Sequence, residues 1–181
     1  PNRVAGLEAV PLALVDLLPC LPKPGKIICL GVNYIDHAKE GGNQIGDYPA
    51  LFLRCATSLL AHGAPLQVPK VSGKLDFEAE LAVVIGREGK QIPRARALDF
   101  VAGYTVANDY AIRNFLEPYY RPNLRVKSRD GGTALGPWLV SRDEVPDPMN
   151  LALRTEVNGR TMRYRISSYA TDKPESERYA G

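Results

Sequence analysis

The sequence predicts an α+β domain built from short strands, with only short helical stretches between them. Three observations carry that expectation. Leu81, Ala82, Val83, Val84 and Ile85 form an apolar run closed by Gly86, the pattern of a covered strand. Residues 151–165 alternate apolar and polar side chains around Asn158-Gly159, the dipeptide of a two-residue hairpin turn. The stretches with helical character are few and brief, as at 36–40 and 94–100.

Taken in order, residues 1–25 carry Pro11, Pro19, Pro22 and Pro24, a density that opposes regular structure. They read as an extended lead-in that packs Leu12, Leu14, Leu17 and Leu18 against the body. KIICLGVNY (26–34) is a short buried strand, and IDHAKE (35–40) is a helical turn or two stopped by Gly41-Gly42. ALFLR (50–54) is a further strand; residues 61–73 are turns. The central strand is KLDFEAELAVVIG (74–86). RARALDF (94–100) is a short helix leading into a strand, VAGYTVAND (101–109), and AIRNFLEPYY (111–120) begins a helix that Pro118 limits. LRVKSRDGG (124–132) reads as a strand with Arg125, Lys127 and Arg129 on one face. The hairpin follows, and from Ile166 to Gly181 the sequence turns polar. The chain thus divides into a lead-in (1–25), a domain (26–165) and a tail (166–181).

Alternation along 74–86 sets Glu78 and Glu80 side by side on one face. Phe77, Ala79, Leu81, Val83 and Ile85 point to the other, which reads as core. Two carboxylates that close raise each other's pKa and cost stability unless something neutralises them. A hard divalent cation such as Mg²⁺ or Mn²⁺ does this through carboxylate oxygens. Taken alone, a Glu-x-Glu pair is more often two solvated side chains. A third ligand is needed, and Asp109 at its strand end is the candidate; an N-cap of the helix after it is an equally good local reading. Lys127 alone reads as a surface lysine, Arg113 as a helix-face charge, and His37 with Glu40 as either a helix-surface pair or a general base with its orienting carboxylate.

Composition excludes several classes. A net charge of +3 is too small to argue for nucleic acid or membrane binding, and the basic stretch 121–129 lacks the interleaved aromatics of a single-strand binder. No apolar run approaches the ~20 residues of a membrane span. Three scattered cysteines and two histidines make a zinc site improbable and suit a reducing, cytoplasmic setting.

The ordered set Glu78-x-Glu80, GYTVANDYAIR (103–113), KSRDG (127–131), LGPWLV (135–140) and DPMNLALRTEVNG (147–159), preceded by NYIDHAKE (33–40), resembles the fumarylacetoacetate hydrolase family over roughly residues 22–160. The stretch 108–131 is most similar to the branch of 2-hydroxyhepta-2,4-diene-1,7-dioate isomerases and 5-oxopent-3-ene-1,2,5-tricarboxylate decarboxylases of aromatic catabolism. The resemblance implies a mixed, mostly antiparallel β-roll with short helices, and a homodimer. It implies Glu78, Glu80 and Asp109 as ligands of Mg²⁺ or Mn²⁺, with Lys127 stabilising negative charge on a 2-oxo acid. His37 and Glu40 would be a lid dyad that moves a proton or activates water. Arg113, Tyr120, Arg125 and Arg129 would hold a remote carboxylate. From a stabilised enolate, reprotonation gives isomerisation, loss of CO₂ gives decarboxylation, and attack of water gives C–C cleavage. Leu116 stands where the hydrolase branch carries glutamine, which turns the expectation away from fumarylacetoacetate itself.

The resemblance also implies segments that this sequence lacks. Family members start earlier and continue past the hairpin through a Gly-Thr-Pro loop, where this chain has MRYRISSYATDKPESERYAG. The expectation is a roll with its C-terminal part missing, exposed apolar edges, and metal ligands in an incomplete pocket. An acylpyruvate-type C–C hydrolase, or a non-catalytic chain that assembles with a full-length homologue, are the alternatives.

Overall fold

The computed structural model describes residues 6–34, 42, 48–116 and 123–167. Strand β1 (Ile27–Gly31) pairs antiparallel with β2 (Ala50–Arg54). A 3-10 turn at Ala56–Ser58 leads to β3 (Leu59–Leu60). The predicted central strand forms as two pieces, β4 (Leu75–Asp76) and β5 (Ala79–Ile85). A 3-10 helix over Arg94–Phe100 then feeds β6 (Val101–Asp109), continued by β7 (Ala111–Ile112). After a 3-10 turn at Arg113–Phe115 come helix α1 (Asn123–Lys127), β8 (Thr133–Leu135) and β9 (Val140–Ser141). The hairpin of β10 (Ala152–Val157) and β11 (Arg160–Ile166) ends the described chain.

The main sheet runs β3-β8-β6-β5, with β9 also on β6, and only the β3–β8 pair is parallel. Mixed, mostly antiparallel pairing with short helices is therefore correct. The β-roll is not. The described strands form four separate open sheets, three of them two-stranded, and none closes on itself. Closure needs continuous pairing from edge to edge with a consistent stagger. Here β1–β2, β4–β7 and β10–β11 each stop at two strands.

Local chemistry explains the elements that form. Asn158 and Gly159 both take positive φ, 51° and 75°, the requirement of the tight turn between β10 and β11. Gly103 lies opposite Ser141 of β9, and a Cβ there would run into the Val140 carbonyl oxygen, so only glycine lets β9 approach. Ladder pairing also explains why no α-helix starts at Ala111: Ile112 and Ala111 pair with Leu75 and Asp76, and the Arg113 N–H donates to the Lys74 carbonyl at 2.9 Å. Sheet pairing overrides the local helical preference.

Three further expectations are corrected. Residues 123–127 are helical, and extension resumes only at Thr133, because Gly131 takes φ +64° and turns the chain. Arg125 and Arg129 are thereby separated from Lys127, which is buried while they are exposed. The lead-in leucines do not pack inward; Leu12, Leu14, Leu17 and Leu18 are exposed. The face of β5 read as core is open at Val83 and Ile85. The most buried part of the molecule is instead largely polar. Arg54, Asp109, Lys127, Thr133 and Ser58 are buried beside Val126, Ile112 and Ala111.

Candidate metal centre

Register brings the three carboxylates together. Ala79 pairs with Asn108, and the next step of the ladder is the Asp109 N–H donating to the Glu78 carbonyl at 2.8 Å. Residues opposite one another across a ladder share a face, and Glu80 returns to that face two residues on. Oxygens of Glu78, Glu80 and Asp109 lie within 4.8 Å of one another. The break between β4 and β5 sits at Phe77 and Glu78, where side chains take over the ladder. Asn108 Oδ1 accepts from the Glu78 N–H, and Asp76 Oδ1 from the Phe77 N–H, both at 2.9 Å. Strand β7, not a helix, follows Asp109, so it is not an N-cap; its carboxylate turns into the cluster.

Cations from three elements converge on these acids. Lys127 Nζ, at the end of α1, donates to Glu78 Oε2 at 2.9 Å and to Asp109 Oδ2. Arg113 Nη2 donates to Glu78 Oε1 at 2.8 Å, and its Nε to Asp76 Oδ2 at 2.9 Å. Arg54 Nη1, on β2, donates to Asp109 Oδ1. The side chains of Arg54 and Asp109 are 0% and 3% exposed. Charges so buried persist only when paired, and here both Asp109 oxygens are held by cations. Phe52 closes the β2 side, its ring centroid 5.3 Å from Lys127 Nζ.

The donor set is oxygen-only. Cys29 lies on β1 opposite Phe52. Burial first, and then the Glu80 charge, push its thiol up to about 11. The thiolate is the ligand and the nucleophile, so the raised value works against both roles for Cys29 at neutral pH. Iodoacetamide is expected to modify exposed Cys55 at least about a hundredfold faster than Cys29. Peptide mass mapping over time checks this, and comparable rates would remove the buried, protonated thiol from the account. Three carboxylates without a sulfur or imidazole donor suit a hard divalent cation.

The other predicted residues are placed as follows. Arg113 joins the cluster itself. Arg125 and Arg129 stack on Phe115, with guanidinium carbons 4.5 and 5.4 Å from its centroid. His37, Glu40 and Tyr120 lie outside the described residues. Tyr34, the last described residue before His37, is buried, and its hydroxyl accepts the Leu81 N–H at 3.1 Å. Sequence reasoning missed Arg54 and Asp76. The available signal for Arg54 was an arginine in step with Phe52 on an otherwise apolar strand.

Comparison with known proteins agrees with this geometry. The chain is 48% identical over 139 residues to the 4-hydroxyphenylacetate degradation bifunctional isomerase/decarboxylase of Salmonella dublin, covering 77% of this chain and 32% of that protein. It is 49% identical over 142 residues to the homoprotocatechuate catabolism bifunctional isomerase/decarboxylase of Escherichia coli, covering 78% and 33%. The chain therefore spans about a third of the length of the curated relatives it matches. Among solved structures, the 5-carboxymethyl-2-hydroxymuconate delta-isomerase of Mycobacterium smegmatis superposes with a TM-score of 0.74 at 38% identity, over 88% of this chain and 62% of that one. Residues 26–173 match the model described as fumarylacetoacetate (FAA) hydrolase C-terminal, and the chain belongs to the fumarylacetoacetate hydrolase family.

Proposed function

We propose that this chain is a divalent-metal-dependent enzyme of 2-oxo diacids, an isomerase/decarboxylase of aromatic catabolism acting on substrates of the 2-hydroxyhepta-2,4-diene-1,7-dioate type. The observation that carries the reading is the convergence of Glu78, Glu80 and Asp109 within 4.8 Å, with Lys127 bonded to two of them. These three carboxylates would hold Mg²⁺ or Mn²⁺. When bound, such a cation supplies Lewis acidity toward a keto oxygen and its neighbouring carboxylate. Lys127 then holds negative charge that develops on the substrate, in a site where burial strengthens the interaction. Arg113, bonded to Glu78 and Asp76 at the edge of the cluster and one-third exposed, binds a remote carboxylate, with Tyr120, Arg125 and Arg129 contributing positive or hydrogen-bonding groups. His37 and Glu40 move the proton at the substrate carbon.

Titration calorimetry tests the first half of this reading. Mg²⁺ and Mn²⁺ are expected to bind the metal-free full chain, and oxalate, a mimic of a 2-oxo acid enolate, to bind only afterwards. Glu80→Ala is expected to abolish both heats. A folded protein that binds neither cation sinks the reading. Product analysis separates the chemistries: an isomerase shifts the substrate's absorbance without fragments, a decarboxylase releases CO₂, and a C–C hydrolase yields two acids.

A different reading, a non-catalytic chain that assembles with a longer homologue, draws on the inverted pattern of the β1–β2 ladder. Ile28, Leu30, Leu51 and Leu53 form its outward face, 56%, 40%, 62% and 57% exposed, while Arg54 points inward. The same face supports a homodimer. Sedimentation of the chain alone, and mixed with such a homologue, distinguishes the two.

A further inference from the structure

Arg54 belongs to no ligand set and has no exposed side-chain surface to offer a substrate. Its contacts nevertheless reach several elements of the site. One guanidinium nitrogen, Nη1, donates to Asp109 Oδ1. The other, Nη2, donates to the carbonyls of Lys127 and of Gly132, the latter at 2.8 Å. Both nitrogens also lie 3.4 Å from the Tyr110 carbonyl. One side chain thus ties β2 to the β6–β7 junction, to the last turn of α1 and to the turn before β8.

These bonds close a ring. Lys127 Nζ donates to Asp109 Oδ2, the oxygen that Arg54 leaves open. Asp109 is held on both oxygens, and the residue holding the second oxygen has its own backbone held by Arg54. The final carbonyls of a helix have no partners within it, and α1 has only five residues. Arg54 supplies a donor to the last of them. A planar fork can span a carboxylate and two carbonyls at once, whereas a lysine ammonium is a point charge. The turn is shaped to admit it. A Cβ at residue 132 would lie 3.3 Å from Arg54 Nη2 and 3.0 Å from the Arg129 carbonyl oxygen.

We propose that Arg54 is the positioning residue of this site: it fixes the Asp109 carboxylate and the Lys127 ammonium in one relation to each other. Part of the consequence, an effect on metal affinity, rests on the metal-binding reading above; the rest does not. Arg54→Lys keeps the charge but loses the bridge. Gly132→Ala keeps Arg54 but crowds its Nη2.

Two measurements on the full chain test this. The first is metal-free: reductive methylation by formaldehyde, with Lys127 followed by mass spectrometry. In the parent chain Lys127 is shielded by Glu78 and Asp109. Labelling is expected to rise about fivefold or more in Arg54→Lys and by a smaller factor in Gly132→Ala, with circular dichroism unchanged. Thr105→Val, a buried change outside the ring, is the control for lost stability and is expected to leave labelling unchanged. The second is Mn²⁺ calorimetry, where Arg54→Lys is expected to weaken binding by about 10–100-fold, the usual cost of removing a ligand's hydrogen-bonding partner. Parent-like labelling of Lys127 in both variants overturns the proposal, as does parent-like Mn²⁺ affinity in Arg54→Lys. If the parent chain itself binds no Mn²⁺, the metal reading falls and the labelling experiment alone decides the role of Arg54.

Discussion

Replacing Lys127 with methionine is expected to tighten Mg²⁺ and Mn²⁺ binding while sharply lowering turnover. The two effects have opposite signs because Lys127 occupies the ligands. Its Nζ donates to Glu78 Oε2 at 2.9 Å and to Asp109 Oδ2, oxygens that the cation would share. A unit charge at about 4 Å repels another by about 4 kcal/mol at an effective dielectric near 20, and screening and rearrangement reduce this. A gain of about tenfold in affinity is the expected net result. Metal-free, the same change leaves two carboxylates short of a partner, and stability is expected to fall by about 3–5 kcal/mol. Added Mg²⁺ restores much of it, since ligand binding to the folded state alone stabilises that state. Turnover is expected to fall by about 10²–10³, the scale for losing one group aimed at developing charge. Calorimetry, thermal unfolding with and without Mg²⁺, and an assay on an unsaturated oxo diacid check the three parts. Weaker metal binding with parent-like turnover would mean that Lys127 is structural.

The legible and illegible parts of this site differ in how far apart their residues are in sequence. Glu78 and Glu80 follow from strand alternation alone, because a period of two needs only one strand. Asp109 needs the partner strand, and the sequence supplied its position at a strand end without the register that sets it opposite Glu78. Lys127 was placed on a strand with Arg125 and Arg129. The RDGG turn, with Gly131 at φ +64°, breaks that extension, so α1 presents Lys127 inward from a helix end instead. Arg54 was illegible for a deeper reason. ALFLR has one charge and two leucines, and hydropathy orients Leu51 and Leu53 inward. The structure does the reverse, because Arg54 is matched to Asp109 and three backbone carbonyls contributed by residues 110, 127 and 132. Inward or outward is a property of the pair of surfaces, and one strand's composition does not contain it. The β-roll failed on the same ground: edge-to-edge closure is a long-range property.

Asp109→Ala is expected to cost more stability than any other single ligand change, and its repair is expected to separate structure from metal binding. Arg54 would be left buried with its charge uncompensated, because Asp109 is the carboxylate it bonds and both side chains are almost fully covered. Breaking such a pair costs about 3–5 kcal/mol. Replacing both partners with apolar groups, Asp109→Leu with Arg54→Met, removes the stranded charge. Buried pairs exchanged in this way are often close to neutral. Recovery here is expected to be partial, because the carbonyls of Lys127 and Gly132 lose their Arg54 donor, at about 1–3 kcal/mol for each left unsatisfied. Metal binding is expected to stay absent in the single and the double variant alike, since neither restores the third carboxylate. Urea unfolding of the parent, Asp109→Leu, Arg54→Met and the double variant gives the coupling between the sites, with Asp109→Ala measured alongside. Mg²⁺ calorimetry on the same proteins completes the test. Asp109→Ala with parent-like stability would mean that Arg54 finds another partner. Metal binding in the double variant would mean that Glu78 and Glu80 hold the cation without Asp109.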